Sequence, residues 1–255
     1  MSEAGPLLVR SGILEGPASL GLVDTQFTLS NTMRLIADLK ERGKPLSWVY
    51  VTHPHLDHFN GAELIRAAFP EARFYAQPEA IPFFAPMVRT RQASLGAAAP
   101  GGRQNLPAES PGFFEPLPEG GLVLGDSPLD VLSGPGDHPT SSVVWDADSR
   151  TAITGDVVFS ETHAFTGDHD DFDGWIELVE RVQALDPSRV IVGHAGPAVR
   201  RGDRVLAEQI DWLKSYRDAR AENADVAHIK SVMTARYPGY ANDFIFEFSA
   251  SVERL

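Results

Sequence analysis

The feature that most restricts this chain is the run Thr52-His-Pro-His-Leu-Asp-His-Phe-Asn-Gly61, which follows the apolar stretch Trp48–Val51 without a break. It sets three histidines and an aspartate within six residues, as His-x-His-x-Asp-His. Imidazole nitrogen and carboxylate oxygen are natural ligands of zinc and similar divalent ions. In an extended or turning segment His53 and His55 point the same way, because alternate side chains share a face. Asp57 and His58 come one turn later, at the mouth of a helix that Gly61 opens, where they can serve a neighbouring ion. A polar loop with surface histidines is the bland alternative, and a cluster this dense argues against it.

Three further candidate ligands stand just after β-type runs. His138 follows Leu129–Leu132 and the turn Ser133-Gly-Pro-Gly-Asp137; Asp156 follows Thr151–Thr154 and Gly155; His194 follows Val190–Val192 and Gly193. Taken singly, each histidine could be structural and Asp156 a turn residue. Strand, glycine and ligand in repetition put them at the carboxyl ends of strands, where loops gather and sites are built. Other short runs, Leu20–Val23, Ser47–Val51, Arg73–Ala76 and Ser142–Trp145, also read as strands. Helical periodicity appears over Asn31–Arg42 (Met33, Ile36, Ala37 and Lys40 at 3–4 spacing), Gly61–Phe69 and Phe172–Leu185. It returns over Asp203–Arg220, with Asp203 as N-cap and Leu206, Ile210, Leu213 and Arg217 on one stripe, and over Asp225 to about Arg236. The mixture predicts an α/β protein of sheets covered by helices.

Composition narrows the chemistry. The chain of 255 residues has no cysteine, which excludes disulfides, thiolate metal sites and cysteine nucleophiles. It carries 22 Lys+Arg against 35 Asp+Glu, a net charge of −13 that argues against nucleic acid as a partner. No window approaches a membrane span and no signal peptide is apparent, so a cytoplasmic protein with no membrane partner is expected.

The ordered set resembles the metallo-β-lactamase superfamily, from about Asp24 to His194. Its members share His-x-His-x-Asp-His, then a His after a Gly-rich turn, a bridging Asp and a last His. The resemblance implies an αββα sandwich of two mixed sheets flanked by helices. It implies a catalytic domain over residues 1–202 and a C-terminal helical extension, 203–255, packed on it. By the same resemblance His53, His55 and His138 hold one metal, Asp57, His58 and His194 a second, and Asp156 bridges the two. The cofactors implied are two divalent ions, zinc first, with Mn2+ or Fe2+ as alternatives. Asp24 matches a family position that supports a ligand; a strand-end cap is the other role open to it.

Such a pair of ions lowers the pKa of a shared water towards about 7, making hydroxide the nucleophile at neutral pH. Asp57 can orient it and take its proton. The expected activity is hydrolysis of a small ester, lactone or thioester. The absence of Cys and the presence of Asp156 look more like the glyoxalase II, lactonase and phosphodiesterase branches than the true β-lactamases. The turn Gly136-Asp-His138-Pro-Thr departs from the Gly-His-Thr-Pro-Gly usual in glyoxalase II-like members, which argues against glutathione thioesters. An iron-dependent oxidoreductase of the same fold, such as a sulfur dioxygenase, and β-lactam hydrolysis are the competing activities.

Residues 82–118 hold seven of the 19 prolines and the run Gly96–Gly102, so an irregular insertion that is not core is expected. Its Phe83, Phe84 and Met87, with Phe113 and Phe114, could line a substrate pocket or pin the loop to the core. Arg89, Arg91 and Arg103 are the cations nearby. Phe159 and His163, just beyond Asp156, could contact substrate or belong to a surface loop. Asp168, Asp170, Asp171 and Asp173, with His169, read as a solvated loop and helix start. Partners are expected to be a small-molecule substrate and, through the C-terminal helices, a second copy of the chain.

Overall fold

The computed structural model describes residues 9–88, 112–195 and 202–252. Among these residues ten strands form two five-stranded sheets. The first holds β1 (Gly12–Glu15), β2 (Leu20–Val23), β3 (Leu46–Val51), β4 (Arg73–Ala76) and β5 (Glu115–Pro116), in that spatial order. The second runs β10 (Arg189–Ala195), β9 (Thr151–Ser160), β8 (Ser141–Asp146), β7 (Ser127–Gly134) and β6 (Leu122–Leu124). Both are mixed. The pairs β2–β3, β3–β4, β4–β5 and β9–β10 are parallel and the others antiparallel.

Alternation along the strands creates three apolar layers. In β3, Trp48 and Tyr50 turn towards the space between the sheets, where they meet Leu14, Val23, Leu122, Val144 and Ile153. Val49 and Val51 turn the other way, into a cluster with Leu35, Ile36 and Leu39 of helix α1 (Leu29–Glu41) and Ile65 of α3 (Ala62–Ala68). On the second sheet Val143, Ala152 and Val157 pack under Trp175 and Val179 of α5 (Phe172–Ala184) and Trp212 and Leu213 of α6 (Gly202–Glu222). Helix, sheet, sheet, helix is the expected sandwich. The short α2 (Leu56–Phe59), a helical stretch α4 over 81–88, α7 (Val226–Arg236) and α8 (Ile245–Ser251) complete it. No helix among the described residues is long and apolar enough to cross a membrane.

Two readings need correction. The buried stripe of α1 is Thr32, Leu35, Ile36 and Leu39; Met33, 52% exposed, Ala37 and Lys40 face solvent. The rule of 3–4 spacing admits both stripes, and the sheet takes the more branched one. Nor is the start of the Pro-rich insertion outside the core. Residues 81–88 are helical, and Phe84, Met87 and Val88 are buried, as is Phe114 at the far side. Phe84 stacks on Phe114 and meets Phe59 edge-on, so it pins the segment to the first layer rather than lining a pocket. Residues 89–111, with Arg89, Arg91 and Arg103, lie outside the described residues.

Candidate metal centre

The strand β3 ends at Val51, and its continuation turns into α2 and α3 because Gly61 lies against Thr25 and Thr32, where a side chain would collide. This delivers His53, His55, Asp57 and His58 to one edge of both sheets. Asp156 arrives within β9 and His194 within the parallel neighbour β10. The glycines preceding them are required by close approach. A Cβ on Gly193 would stand 1.8 Å from Asp156 Oδ1, and one on Gly155, whose φ is +47°, would stand 2.3 Å from Thr52 Oγ1.

Two groups of four donor atoms result, each within 4.8 Å of one another: His53, His55, Asp137 and Asp156 in the first, and Asp57, His58, Asp156 and His194 in the second. Asp156 belongs to both, as a bridging residue must. The structure thus brings together six of the seven expected ligands. The seventh place is different: the Gly-rich turn contributes Asp137. The imidazole of His138 stands 5.5 Å from that of His55, and its Nδ1 accepts from the Thr140 backbone N–H at 3.2 Å. The turn itself is tied to the strand below it, Asp137 N–H donating to Asp156 O at 3.3 Å.

Supporting contacts aim each ring. Asp24 accepts from Thr52 N–H at 2.9 Å and faces His58 Nδ1 at 2.8 Å, leaving His58 Nε2 for the centre. This is the supporting role open to it from its position, and Asp24 takes an αL backbone (φ 63°) to fill it. Asp168 lies 2.8 Å from His55 Nε2, while Asp137 lies 2.8 Å from His55 Nδ1. Asp168 is therefore not solvated, contrary to its reading as part of an acidic loop; it is buried. Its neighbours do serve the surface and the helix start. Asp171 caps α5, and Asp170 and Asp173 pair with Arg220 and Arg217.

The donor chemistry fits divalent ions. His53 Nε2, His58 Nε2, Asp137 Oδ1 and Asp156 Oδ1 are buried with no hydrogen-bond partner, an arrangement that is costly unless a cation satisfies them. Burial alone would push the His55, His58 and His194 rings down in pKa. The carboxylates beside them override it, holding His55 and His58 well up and His194 at about 10. Burial also lifts Asp137 to about 7. Against the same burial, the His58 and His194 rings keep Asp57 low, so it is ionised at neutral pH.

A pocket of about 510 Å3, counted to its open mouth, rests on this centre. Met87, Phe159 and His163, named from the sequence, line it, as do Phe165, Asn242, Ile245 and Phe248, which were not. Phe159 stacks on His194. Phe83 meets the His138 ring edge-on at 4.9 Å instead.

Residues 4–194 match the model of the metallo-beta-lactamase superfamily. The chain belongs to that family. Solved structures agree on the fold. A beta-lactamase domain protein from Burkholderia ambifaria superposes with a TM-score of 0.66 at 20% identity, over 94% of this chain and 78% of that one. TTHA1623, in a di-iron-bound form, gives 0.61 at 22% identity, over 80% and 92%. The metallo-beta-lactamase FIM-1 from Pseudomonas aeruginosa, in a mono-zinc form, gives 0.58 at 19%, over 79% and 81%. Family members are mostly metal-dependent hydrolases, and this chain keeps candidate metal-binding clusters of His and Asp.

Proposed function

We propose that the chain is a dinuclear metal-dependent hydrolase of a small ester, lactone or thioester. One observation carries this reading: two groups of four donors share Asp156 at the floor of an apolar pocket. His53, His55 and Asp137 would hold one ion, Asp57, His58 and His194 the other, and Asp156 both. When bound, such ions supply an acidified water and a Lewis acid for a carbonyl oxygen. The chain's own residues do the rest. Asp57, ionised and lining the pocket, orients the attacking water and accepts its proton. Asp24 and Asp168 keep His58 and His55 from rotating. Met87, Phe159, Phe165 and Phe248 exclude bulk water and receive the apolar part of the substrate. Four imidazoles and three carboxylates suit zinc, with iron and manganese compatible.

The test is metal analysis of purified protein with a panel of aryl esters, lactones and thioesters. Two ions per chain and turnover of at least one class are expected. Well under one ion per chain with no turnover would overturn the reading; one iron per chain with oxygen uptake would replace it with oxidation.

A further inference from the structure

His163 lines the pocket and belongs to neither donor group, and the structure fixes where its proton sits. Its ring is buried. Trp212 Nε1–H donates to its Nδ1 at 3.2 Å. An indole N–H only donates, so Nδ1 is an acceptor and the neutral ring carries its proton on Nε2. Burial drives this ring down to about 4, so it is neutral at physiological pH. Nε2 is buried and has no hydrogen-bond partner. The carboxylate facing it, Asp243 Oδ1, is 3.6 Å away on an exposed side chain, beyond hydrogen-bond reach.

The wall around His163 is held in one conformation. His163 N–H donates to Ala241 O at 3.0 Å, and Ala241 N–H to Glu161 O at 3.0 Å. Asn242 Nδ2 donates to Thr162 Oγ1 at 2.7 Å. Glu161 (φ 53°) sits in the left-handed region, uncommon for a residue of its kind, and Asn242 (φ 68°) in the same region, which asparagine adopts readily. Further along, Thr166 N–H donates to Ser249 Oγ of α8 at 3.1 Å. Segments 160–168 and 240–249 are thus tied together by hydrogen bonds, and within them His163 Nε2–H is a donor without a partner.

We propose that His163 Nε2–H is a substrate-binding donor, and that the pocket takes an uncharged apolar group bearing a hydrogen-bond acceptor, such as a carbonyl or ether oxygen. A neutral donor beside the Asp243 carboxylate disfavours an anion at that point. Phe165, Ile245 and Phe248 favour an aryl or short alkyl body. The assignment rests on the hydrolase reading only for the bond that reacts.

The test uses the metal-loaded full chain labelled with 15N-histidine and two probes: acetanilide, an uncharged aryl amide that resists hydrolysis, and benzoate, its anionic counterpart. Long-range proton–nitrogen spectra are expected to show the Nε2–H tautomer of His163 between about pH 6 and 8. Acetanilide is expected to shift that Nε2 resonance. His163→Phe should weaken acetanilide by roughly 5- to 20-fold in calorimetry, with metal content unchanged, and His163→Gln should recover part of the loss. The proposal is overturned if the tautomer is Nδ1–H, if acetanilide produces no shift, or if benzoate alone moves the resonance. Should no ester, lactone or thioester turn over while acetanilide still moves Nε2, the hydrolase reading falls and this assignment stands.

Discussion

The two donor groups share one carboxylate and differ in how their remaining members are held. In the second group, Asp57 and His58 ride on a short helix that Thr25 clamps to its own turn, with its N–H on His58 O at 2.7 Å, and His194 lies within a strand. In the first, His53 and His55 lie in the segment leaving β3, and the third donor comes from a turn. A strand or helix dictates which way a given side chain faces. A turn does not: Asp137 and His138 are adjacent and both can ligate a metal, and here Asp137 joins the donor group while His138 Nδ1 turns to Thr140. The second group is thus fixed by regular elements and the first by a loop.

The largest effect should fall on both groups at once. Asp156→Ala is expected to cost both ions and at least roughly a thousandfold in kcat/KM, checked by metal analysis alongside the ester panel. Loss of only one ion would mean that Asp156 is not shared.

Next come the neighbours in the turn. Asp137→Ala should remove the ion of the first group and leave the second, weakening total metal retention by roughly a hundredfold. His138→Ala should change it by about tenfold or less, acting through the packing of His55 and Phe83. Competition with a chromophoric chelator reads both, and equal losses would erase the distinction.

The supporting carboxylates offer a matched pair. Asp24→Asn acts on His58 and Asp168→Asn on His55, each expected to lower affinity for its own group by roughly 10- to 100-fold. Measuring the two stoichiometric steps separately by calorimetry would show whether each substitution spares the other group.

The smallest effect is on pH. Without metal, His194 holds a proton up to about 10, so its contribution to stability is complete below its ordinary 6.5 and lost as pH rises through 10. The metal-free protein should melt progressively lower over that range, whereas the metal-loaded protein, whose ligands are already deprotonated, should not show this decline. Metal uptake should release protons, so apparent affinity rises with pH. Calorimetry in two buffers of different ionisation enthalpy checks the sign.

Much of the fold and the centre was legible in the sequence, because the periodicities that position a strand also position the residues at its carboxyl end. Each of the seven strands read from its apolar run is present, and Asp156 and His194 lie where strand and glycine place them. The features that escaped did so for physical reasons. β5 and β6 have two and three residues, too few to show a period, and the four residues of β1 include a glycine and a glutamate that interrupt its apolar run. α4 contains Pro82 and Pro86, residues that ordinarily mark breaks rather than helix. Asp168 looked like one carboxylate among four; only the fold shows that the segment from Asp156 returns to His55. Phe165, Asn242, Ile245 and Phe248 reach the pocket from segments whose sequence carries no metal-ligand signal. Asp137 stands one residue before His138, and only the folded turn brings its carboxylate into the donor group.

The central claim, that two ions sit on donor sets sharing Asp156 with Asp137 completing the first, is most directly tested by a crystal structure of the metal-loaded chain with anomalous scattering at the metal edge. The account predicts two peaks flanking Asp156, one of them about 2.0–2.2 Å from an Asp137 oxygen, with His138 turned away to Thr140. A single peak, or a first ion bound by His138 with Asp137 displaced, would contradict it.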